Sequence, residues 1–493
     1  MARACERRLA QWREIPAAPA NGQKVGVLLT PWLSTAVPFF SLECALALAQ
    51  RGCAVTMLWD PSDVFGNASQ PAEVQEIARL FQALPAHLGV LEVRAVDGGM
   101  PAGGGEIADA IIRENAIWKM RGEDRADDFL ASRPDLPEAT RKHLCGVEHF
   151  LRRSGVGWIL IPGGIYGLSA AYLAVARQLG IGISTYDSDV GMLMLSHHGA
   201  ATHHADIAQS LDLLEAELRA RPERETAVTG AASAELAKRR AGISDYQFQK
   251  VAASGRADGD HNVLVPLNLR WDSAALSRQR LFSSVAEWLT QLVRWTERTP
   301  DARLCIRQHP AERFPETRGS DDLGALLQAA GAKRESVRFV AANDPVSTYD
   351  LLRTARVVLP FSSTLGVEAT MLGIPVITST NCYYAPLGFV WDAPTVGEYF
   401  ARIGEALAGQ LAVGEAARRR AALVYHLTQT HAQMKTFFTP LPLDFPKWTA
   451  LEPQALWGLP ETADLIEALV TRTPLSYQRF SRLAETPVVS YAS

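Results

Sequence analysis

The six cysteines of the 493-residue chain are scattered, and no two of them form a CxxC pair. Structural zinc sites and disulfide frameworks usually show regular cysteine spacing. We therefore expect neither of these features, and several of the cysteines, which sit inside apolar runs, should pack as small core side chains. This usage favours a reducing compartment.

Long apolar runs and an excess of basic charge are also missing. No run of eighteen apolar residues occurs, and the N-terminal stretch has no apolar core of a secretory signal. The formal net charge is -4, which argues against a nucleic-acid partner. We expect a cytoplasmic protein, and peripheral contact with the inner membrane face or with an assembly complex stays open.

Two familiar binding patterns, GxGxxG and HExxH, do not occur. Histidines cluster in SHHGAATHHADI, at positions 197, 198, 203 and 204. Adjacent residues point apart on any regular element, so we predict no metal site. His203 remains a candidate for lining an acceptor site.

Short apolar runs alternate with amphipathic stretches along the whole chain, which indicates repeated βαβ units. The length predicts two domains. The charged, mostly helical stretch 208–260 ends in SGRADGD, near which we place the boundary. The predicted division is an N-terminal extension, a first α/β domain with a helical linker, a second α/β domain and a C-terminal tail, at 1–23, 24–255, 256–440 and 441–493.

The stretch VVLPFSSTLGVEATMLGIPVI, residues 357–377, reads as a buried strand, a turn and a helix that stops at Gly373. Its turn and helix carry five residues suited to a nucleotide: Ser362, Ser363, Thr364, Gly366 and Glu368. Hydroxyl groups at a helix N-terminus can bind a phosphate, and a carboxylate farther along can accept both hydroxyls of a ribose. The alternative is simple capping, with Glu368 on a solvated helix face.

The dipeptide His309-Pro310 ends another apolar run, RLCIRQHP. Pro310 biases His309 to an extended backbone, which holds the imidazole at the strand end. An imidazole there can donate to a phosphate and protonate a leaving oxyanion. A loop histidine without a role is the alternative.

Together, RQHP at 307–310 and SSTLGVEATMLGIPVI at 362–377 resemble the nucleotide-binding domain of GT-B glycosyltransferases. The resemblance is to the capsule-polysaccharide group, with its Kdo transferases and, more distantly, bacterial sialyltransferases. It covers residues 262–400. It implies an α/β GT-B fold, with two doubly wound Rossmann-like domains facing a cleft and a C-terminal segment crossing back.

The same resemblance implies a CMP-activated 2-keto sugar acid as donor, of Kdo, sialic or pseudaminic type, with the HP and Ser/Thr motifs directed at its phosphate. CDP-glycerol polymer transferases share a similar pattern but tend to have Asp at the position of Glu368. Hydrolysing sugar-nucleotide 2-epimerases typically have an SGG turn, which is absent here.

Candidates for binding and activating the acceptor come from the first half of the chain. Asp187 and Asp189, in STYDSD, are two residues apart and point the same way on an extended segment. We prefer Asp187 as the base, with Asp189 behind it, although capping is an alternative. Other acceptor candidates are Trp32, Ser34 and Thr35 in the first strand-to-helix loop, and Gly163 and Gly164 in IPGGIYG.

Two further predictions concern Arg270 and the C-terminal tail. Arg270, in NLRWD, is expected to bind the donor by meeting its carboxylate or phosphate, unless it is a surface arginine. In the tail, ETADLIEALVTR is expected to cross back onto the first domain. Alternatively, Trp448 and Trp457 anchor a patch that docks on a partner or a membrane.

The sequence therefore predicts a metal-independent glycosyltransferase that needs no cofactor beyond its donor. The expected acceptor is a surface glycan, a lipid-linked molecule or a protein. His309 would stabilise and protonate the leaving phosphate. The alternatives are a transferase using UDP- or GDP-sugars, a CDP-polyol phosphotransferase, and a non-catalytic GT-B-like subunit of a glycan assembly complex.

Overall fold

The computed structural model of the chain describes residues 2–31, 37–66, 75, 77, 79–94, 96, 103–189, 192–243, 260–439 and 445–485. The chain forms two compact units. Unit 1 comprises Met1–Asn115, Leu130–Ser210 and Thr428–Ser493, and unit 2 comprises Ala116–Phe129 and Leu211–Leu427.

These units do not divide where the sequence placed the boundaries at 255/256 and 440/441. Helix Glu225–Arg240, which lies in the region predicted to be a linker of the first domain, packs on helix Glu415–His426 within unit 2. Unit 2 therefore begins earlier and ends earlier than the predicted second α/β domain.

The strands, numbered in chain order, are β1 (Lys24–Leu29), β2 (Ala54–Trp59), β3 (Gly89–Glu92), β4 (Trp158–Pro162), β5 (Gly182–Asp189), β6 (Met192–Ser196), β7 (Val263–Pro266), β8 (Leu304–Arg307), β9 (Val337–Val340), β10 (Val357–Val358), β11 (Ile377–Thr378), β12 (Trp391–Asp392) and β13 (Gln433–Lys435).

The α-helices are Ala2–Arg13, Val37–Gln50, Gly104–Met120, Ala126–Ala131, Leu136–Ser154, Gly167–Gln178, Ile207–Ala220, Glu225–Arg240, Val285–Thr296, Leu323–Ala329, Thr348–Leu352, Leu365–Met371, Val396–Leu407, Glu415–His426, Phe445–Ala450, Pro453–Trp457, Pro460–Thr471 and Leu475–Glu485. A π-helix spans Leu427–His431, and 3-10 turns include Ala201–His203 and Pro310–Arg313.

Unit 1 is built on a sheet whose described strands have the order β13-β6-β5-β4-β1-β2-β3. The strands from β5 to β3 are parallel, and β6 and β13 are antiparallel to their neighbours. The predicted strands of this half are confirmed, whereas β6 and β13 were missed. Apolar strands such as β4, WILIP, are buried throughout, as expected when both faces of a parallel sheet are covered.

Unit 2 contains a parallel sheet of order β10-β7-β8-β9, and a bridge between Val358 and Val376 leads on to the parallel pair β11-β12. Because all these strands run the same way, their C-terminal ends meet at one edge. Ligands of open α/β sheets bind at that edge. The predicted doubly wound α/β class is confirmed for this unit and for unit 1.

The C-terminal segment packs within unit 1, as predicted for ETADLIEALVTR. Leu465, Ile466 and Leu469 join the core formed by β1, β2 and helix Val37–Gln50. The alternative of an exposed docking patch is wrong, because Trp448 and Trp457 are buried. Their indole N–H groups donate to the two carboxylate oxygens of Glu43 at 3.0 and 2.9 Å.

Within the described ranges, no helix is long and apolar enough to cross a membrane.

Candidate functional site

The two predicted motifs of unit 2 lie at the same edge of its sheet. His309 follows β8, and Ser362 to Thr364 follow β10, on the two sides of β7. Neighbouring strands are about 4.8 Å apart, so the two strand ends are separated by roughly 10 Å. The backbone N–H of Ser362 donates to the side chain of Asn268, just past β7, at 3.1 Å. A ligand of the size of a nucleotide phosphate and its sugar fits that separation.

His309 has the extended backbone that Pro310 favours, with φ -61° and ψ 128°, and caps the 3-10 turn Pro310–Arg313. Its Nδ1 accepts a hydrogen bond from the backbone N–H of Ala311 at 3.2 Å. Since a backbone N–H can only donate, Nδ1 carries no proton in this arrangement. The neutral imidazole therefore holds its proton on Nε2 and can donate from there.

Burial, followed by the nearby charge of Arg307, lowers the pKa of His309 to about 4. At neutral pH the side chain is consequently uncharged. In the protein without a ligand the imidazole is thus a neutral group, and its role in protonating the leaving phosphate stays a prediction. Hydrogen bonding from Nε2–H remains available to it.

Ser362 does not have the predicted role. It is buried, and its hydroxyl donates to the carbonyl oxygen of Ala274 at 2.9 Å. Because a hydroxyl has one proton, Ser362 has none left for a phosphate oxygen. Its hydrogen bonds to Ala274 and Asn268 instead hold the end of β10 against the loop that follows β7.

Ser363 and Thr364 are half-buried and keep their hydroxyl protons available. The Ser363 hydroxyl accepts from the backbone N–H of Leu365 at 3.3 Å. Thr364 precedes helix Leu365–Met371 but makes no capping hydrogen bond with its side chain. Within the described part of the chain, neither hydroxyl donates to a protein acceptor. Simple capping therefore does not account for Thr364, and two of the three predicted hydroxyls can serve an anion.

Gly366 lies under the ring of Tyr384, whose hydroxyl donates to the carbonyl oxygen of Ser363 at 2.8 Å. A Cβ atom at Gly366 would lie 2.3 Å from that hydroxyl oxygen, which is closer than real contacts allow. The glycine thus permits the tyrosine to hold the turn. Its contribution is to the shape of the turn, and Tyr384 itself is fully buried.

Glu368 is buried, and both of its carboxylate oxygens are engaged. Nη1 of Arg239 donates to Oε1 at 2.8 Å, and the hydroxyl of Tyr349 donates to Oε2 at 2.9 Å. The prediction that Glu368 holds a ribose is corrected, because the carboxylate is 2% exposed and committed to these donors. The alternative of a solvated helix face is also wrong.

Arg270 forms a buried ion pair with Asp321, with Nη2 and Oδ2 2.8 Å apart. It is therefore neither the donor-binding residue that we predicted nor a surface arginine. Burial raises the pKa of the neighbouring Glu123, which the charge of Arg270 partly offsets. This cluster holds the segment 116–129 against the loop that follows Pro310.

The predicted acceptor residues lie in unit 1. Asp187 and Asp189 belong to β5 and pair with Met194 and Met192 of β6, so they lie within a hairpin and not in a turn. Asp187 is half-buried.

Gly163 and Gly164 form the predicted tight turn after β4, with φ values of 68° and 106° that favour glycine. The N–H of Gly163 donates to the carbonyl oxygen of Tyr186 at 2.7 Å, which ties the turn to β5. Trp32, Ser34 and Thr35 lie outside the described residues.

The histidine cluster is organised by Asp206, the acidic residue of the same stretch. Its carboxylate accepts from the backbone N–H groups of His197 and His198 and from the Ser196 hydroxyl. His203 is half-buried and ends the 3-10 turn Ala201–His203. In the part of the chain that the structure describes, no group of three or more His, Cys, Asp or Glu side chains is placed to hold a metal ion.

The sequence reasoning missed Arg307 and Arg239. A signal existed for Arg307, because a charged residue ends the buried strand LCIR directly before the HP motif. The sequence contained no such signal for Arg239, since its partner Glu368 lies 129 residues away.

A comparison with protein families shows which family the region carrying these motifs resembles. Residues 223–405 match the family described as capsule polysaccharide biosynthesis protein. The resemblance to the capsule-polysaccharide group is thus confirmed over this capsule-synthesis region. It contains His309, Ser363 and Thr364, together with Arg239 and Glu368.

Among solved structures, the chain is similar to two structures of KpsC from Thermosulfurimonas dismutans. With the beta Kdo 2,7 transferase it shares 15% identity, over 66% of this chain and 89% of that one, at a TM-score of 0.34. With the beta Kdo 2,4 transferase it shares 13%, over 60% and 88%, also at 0.34.

A putative UDP-N-acetylglucosamine 2-epimerase from Listeria monocytogenes shares 11% identity, over 84% of this chain and 96% of that one, at a TM-score of 0.27. TM-scores of this size do not establish a shared activity. A search of curated proteins gave no significant match.

Proposed function

We propose that the protein is a glycosyltransferase that moves a sugar from a nucleotide donor to an acceptor in capsule or other surface-glycan synthesis. The observation that carries the proposal is that His309, Ser363 and Thr364 follow strands at one sheet edge, inside the capsule-synthesis region. They supply three neutral donors at that edge, Nε2–H and two hydroxyls, and donors of this kind suit a phosphate.

The proposed donor is a CMP-activated 2-keto sugar acid of Kdo, sialic or pseudaminic type. This choice rests on the resemblance of the two motifs to the capsule-polysaccharide group. The proposed acceptor is a surface glycan, a lipid-linked molecule or a protein. Asp187 is proposed as the base that takes the proton of the acceptor hydroxyl, with Asp189 behind it.

We propose further that the reaction needs no metal ion. Hydrogen-bond donors fixed by the fold stabilise negative charge without the reorganisation that water requires. A departing nucleoside monophosphate also carries a smaller total negative charge than a diphosphate, so it needs less cationic stabilisation.

A thermal-shift panel of CMP, CDP, UMP, UDP, GDP and ADP, with and without magnesium, tests the proposal. Stabilisation by CMP without magnesium is the expected result. A preference for a diphosphate would overturn the CMP-linked donor and favour a UDP- or GDP-sugar transferase or a CDP-polyol phosphotransferase. No response to any nucleotide would overturn the transferase and favour a non-catalytic subunit.

Turnover separates binding from catalysis. With CMP-Kdo or CMP-sialic acid, the wild-type protein should release CMP, and the His309→Ala variant should lose turnover far more than stability. A variant that turns over like the wild type would contradict the role given to His309.

A further inference from the structure

Arg307 places a positive charge inside unit 2, at the end of β8. The residue is 2% exposed, and its Nη1 donates to the carbonyl oxygen of Ala341. Its Nε is buried without a hydrogen-bond partner. Among the described residues, no carboxylate forms an ion pair with the guanidinium.

A buried charge without a counter-ion is costly, so its presence calls for an explanation. The charged or titratable groups around Arg307 are Asp344, Arg313 and Cys305. Burial lowers the pKa of Arg307, Asp344 favours its charge without reaching ion-pairing distance, and Arg313 opposes it. Burial raises the pKa of the Cys305 thiol to about 11. The positive charge is thus left to act on whatever binds at the edge of the sheet.

His309 is two residues farther along the extended chain and lies on the same side as Arg307. The Ala311 N–H occupies Nδ1 of the imidazole, which leaves Nε2–H as the donor. A guanidinium next to an imidazole disfavours a second positive charge. In this pair, Arg307 therefore carries the positive charge and His309 carries the hydrogen-bond donor.

We infer that Arg307 supplies a permanent positive charge at the phosphate site, and that His309 serves there as a neutral hydrogen-bond donor through Nε2–H. The inference rests on the proposed function for its ligand, the phosphate of a nucleotide donor. Because Arg307 is almost fully buried, it acts by its electric field and by setting the state of His309, and it is a positioning residue.

No proton is transferred from the protein to the phosphate under this assignment. The bond between the anomeric carbon and the phosphate oxygen breaks with its electron pair on the phosphate. The acceptor oxygen bonds to the anomeric carbon, and its proton passes to the proposed base. The charge of Arg307 and the hydrogen bond from His309 stabilise the phosphate as it leaves.

A histidine NMR measurement on the full-length wild-type protein tests the assignment without any ligand. Nitrogen-15 spectra report which ring nitrogen carries the proton, and the His309 signals are identified by their loss in His309→Asn. We expect a neutral ring protonated on Nε2 at pH 7, with a titration midpoint well below that of a free histidine. A ring that is charged at pH 7, or protonated on Nδ1, would overturn the inference.

Variants of Arg307 test the charge itself. Arg307→Met should raise the His309 midpoint by on the order of one unit. It should also weaken CMP binding about tenfold or more, since a charge in a poorly screened position is lost. Arg307→Lys keeps the charge and should preserve both properties. Arg334→Met, which removes an exposed arginine of the same unit, should change neither.

The outcomes separate the two proposals. If Arg307→Met leaves the His309 midpoint and CMP binding unchanged, or if Arg307→Lys behaves like Arg307→Met, the charge assignment fails. If the wild-type protein binds no nucleotide, the proposed function fails, and the NMR measurements still decide the protonation state of His309. If Arg307→Met does not fold, the wild-type spectrum and Arg307→Lys decide.

Discussion

The carboxylate of Glu368 lies 2.8 Å from Nη1 of Arg239, and both side chains are almost fully buried. The hydroxyl of Tyr349 completes the arrangement by donating to the other carboxylate oxygen. This ion pair fixes helix Glu225–Arg240 to helix Leu365–Met371, the helix that follows the hydroxyl turn. Glu368, which was predicted to contact the ligand, thus joins two helices that support the site.

Arg239→Met should destabilise the protein strongly, by about 3–5 kcal/mol in free energy of unfolding, because it leaves a buried carboxylate without its cation. Replacing both partners, in Arg239→Met with Glu368→Met, should cost less than Arg239→Met alone. Urea denaturation measures both. The half-exposed pair Arg402–Glu405 provides a control, since Arg402→Met should change stability by less than about 1 kcal/mol. Equal effects of the two arginine variants would contradict the structural role.

The three hydroxyls of the turn should separate into two classes. Ser362→Ala leaves the carbonyl oxygen of Ala274 without its donor and should cost about 0.5–1.5 kcal/mol of stability. Thr364→Val removes a donor that the fold does not use, so it should weaken nucleotide binding and leave stability nearly unchanged. Ser363→Ala should weaken nucleotide binding too, and it should also cost about 0.5–1 kcal/mol of stability, because the Leu365 N–H loses its acceptor. Denaturation and calorimetric titration with CMP measure the two properties. A Ser363→Ala, Thr364→Val protein that binds CMP as the wild type does would contradict this division.

Local patterns predicted the parts of the site that depend on strand ends. A polar residue after a buried strand lies at the sheet edge whatever the rest of the chain does, which is why His309 and Ser363 were found. Side-chain partners were not predictable in the same way. Glu368 meets Arg239 and Arg270 meets Asp321 only after distant segments have packed, so a carboxylate and a guanidinium that looked like ligand contacts are buried ion pairs.

The same limit explains the errors in the fold. β6 and β13 are short and pair antiparallel at one side of the unit 1 sheet, where β13 comes from the far end of the chain. Their residues carry no turn signal that marks the pairing. The helical stretch predicted as a linker has an ordinary amphipathic sequence, and only packing on helix Glu415–His426 assigns it to unit 2.

Gly366→Ala should destabilise the turn, because the added methyl group overlaps the hydroxyl and ring of Tyr384. Overpacking of this kind costs about 1–3 kcal/mol. Tyr384→Ala makes room for the methyl group, so the double variant should be more stable than the sum of the two single effects predicts. Denaturation of the four proteins measures the coupling. Strictly additive effects would show that the contact does not determine the choice of glycine.

The stability of the protein should fall as the pH is lowered from about 6.5 towards 4, in part because of His426. Burial lowers the pKa of this side chain to about 4 in the folded protein. Below pH 6.5 the unfolded chain therefore binds a proton that the folded chain does not, and this proton stabilises the unfolded state relative to the folded state.

A shift of this size corresponds to roughly 2–3 kcal/mol by the lower pH. His426→Gln cannot titrate, so its free energy of unfolding should depend less steeply on pH in this window and no differently above pH 8. Denaturation midpoints measured at several pH values check the slope. Identical slopes for the two proteins would mean that His426 is not held uncharged by its burial.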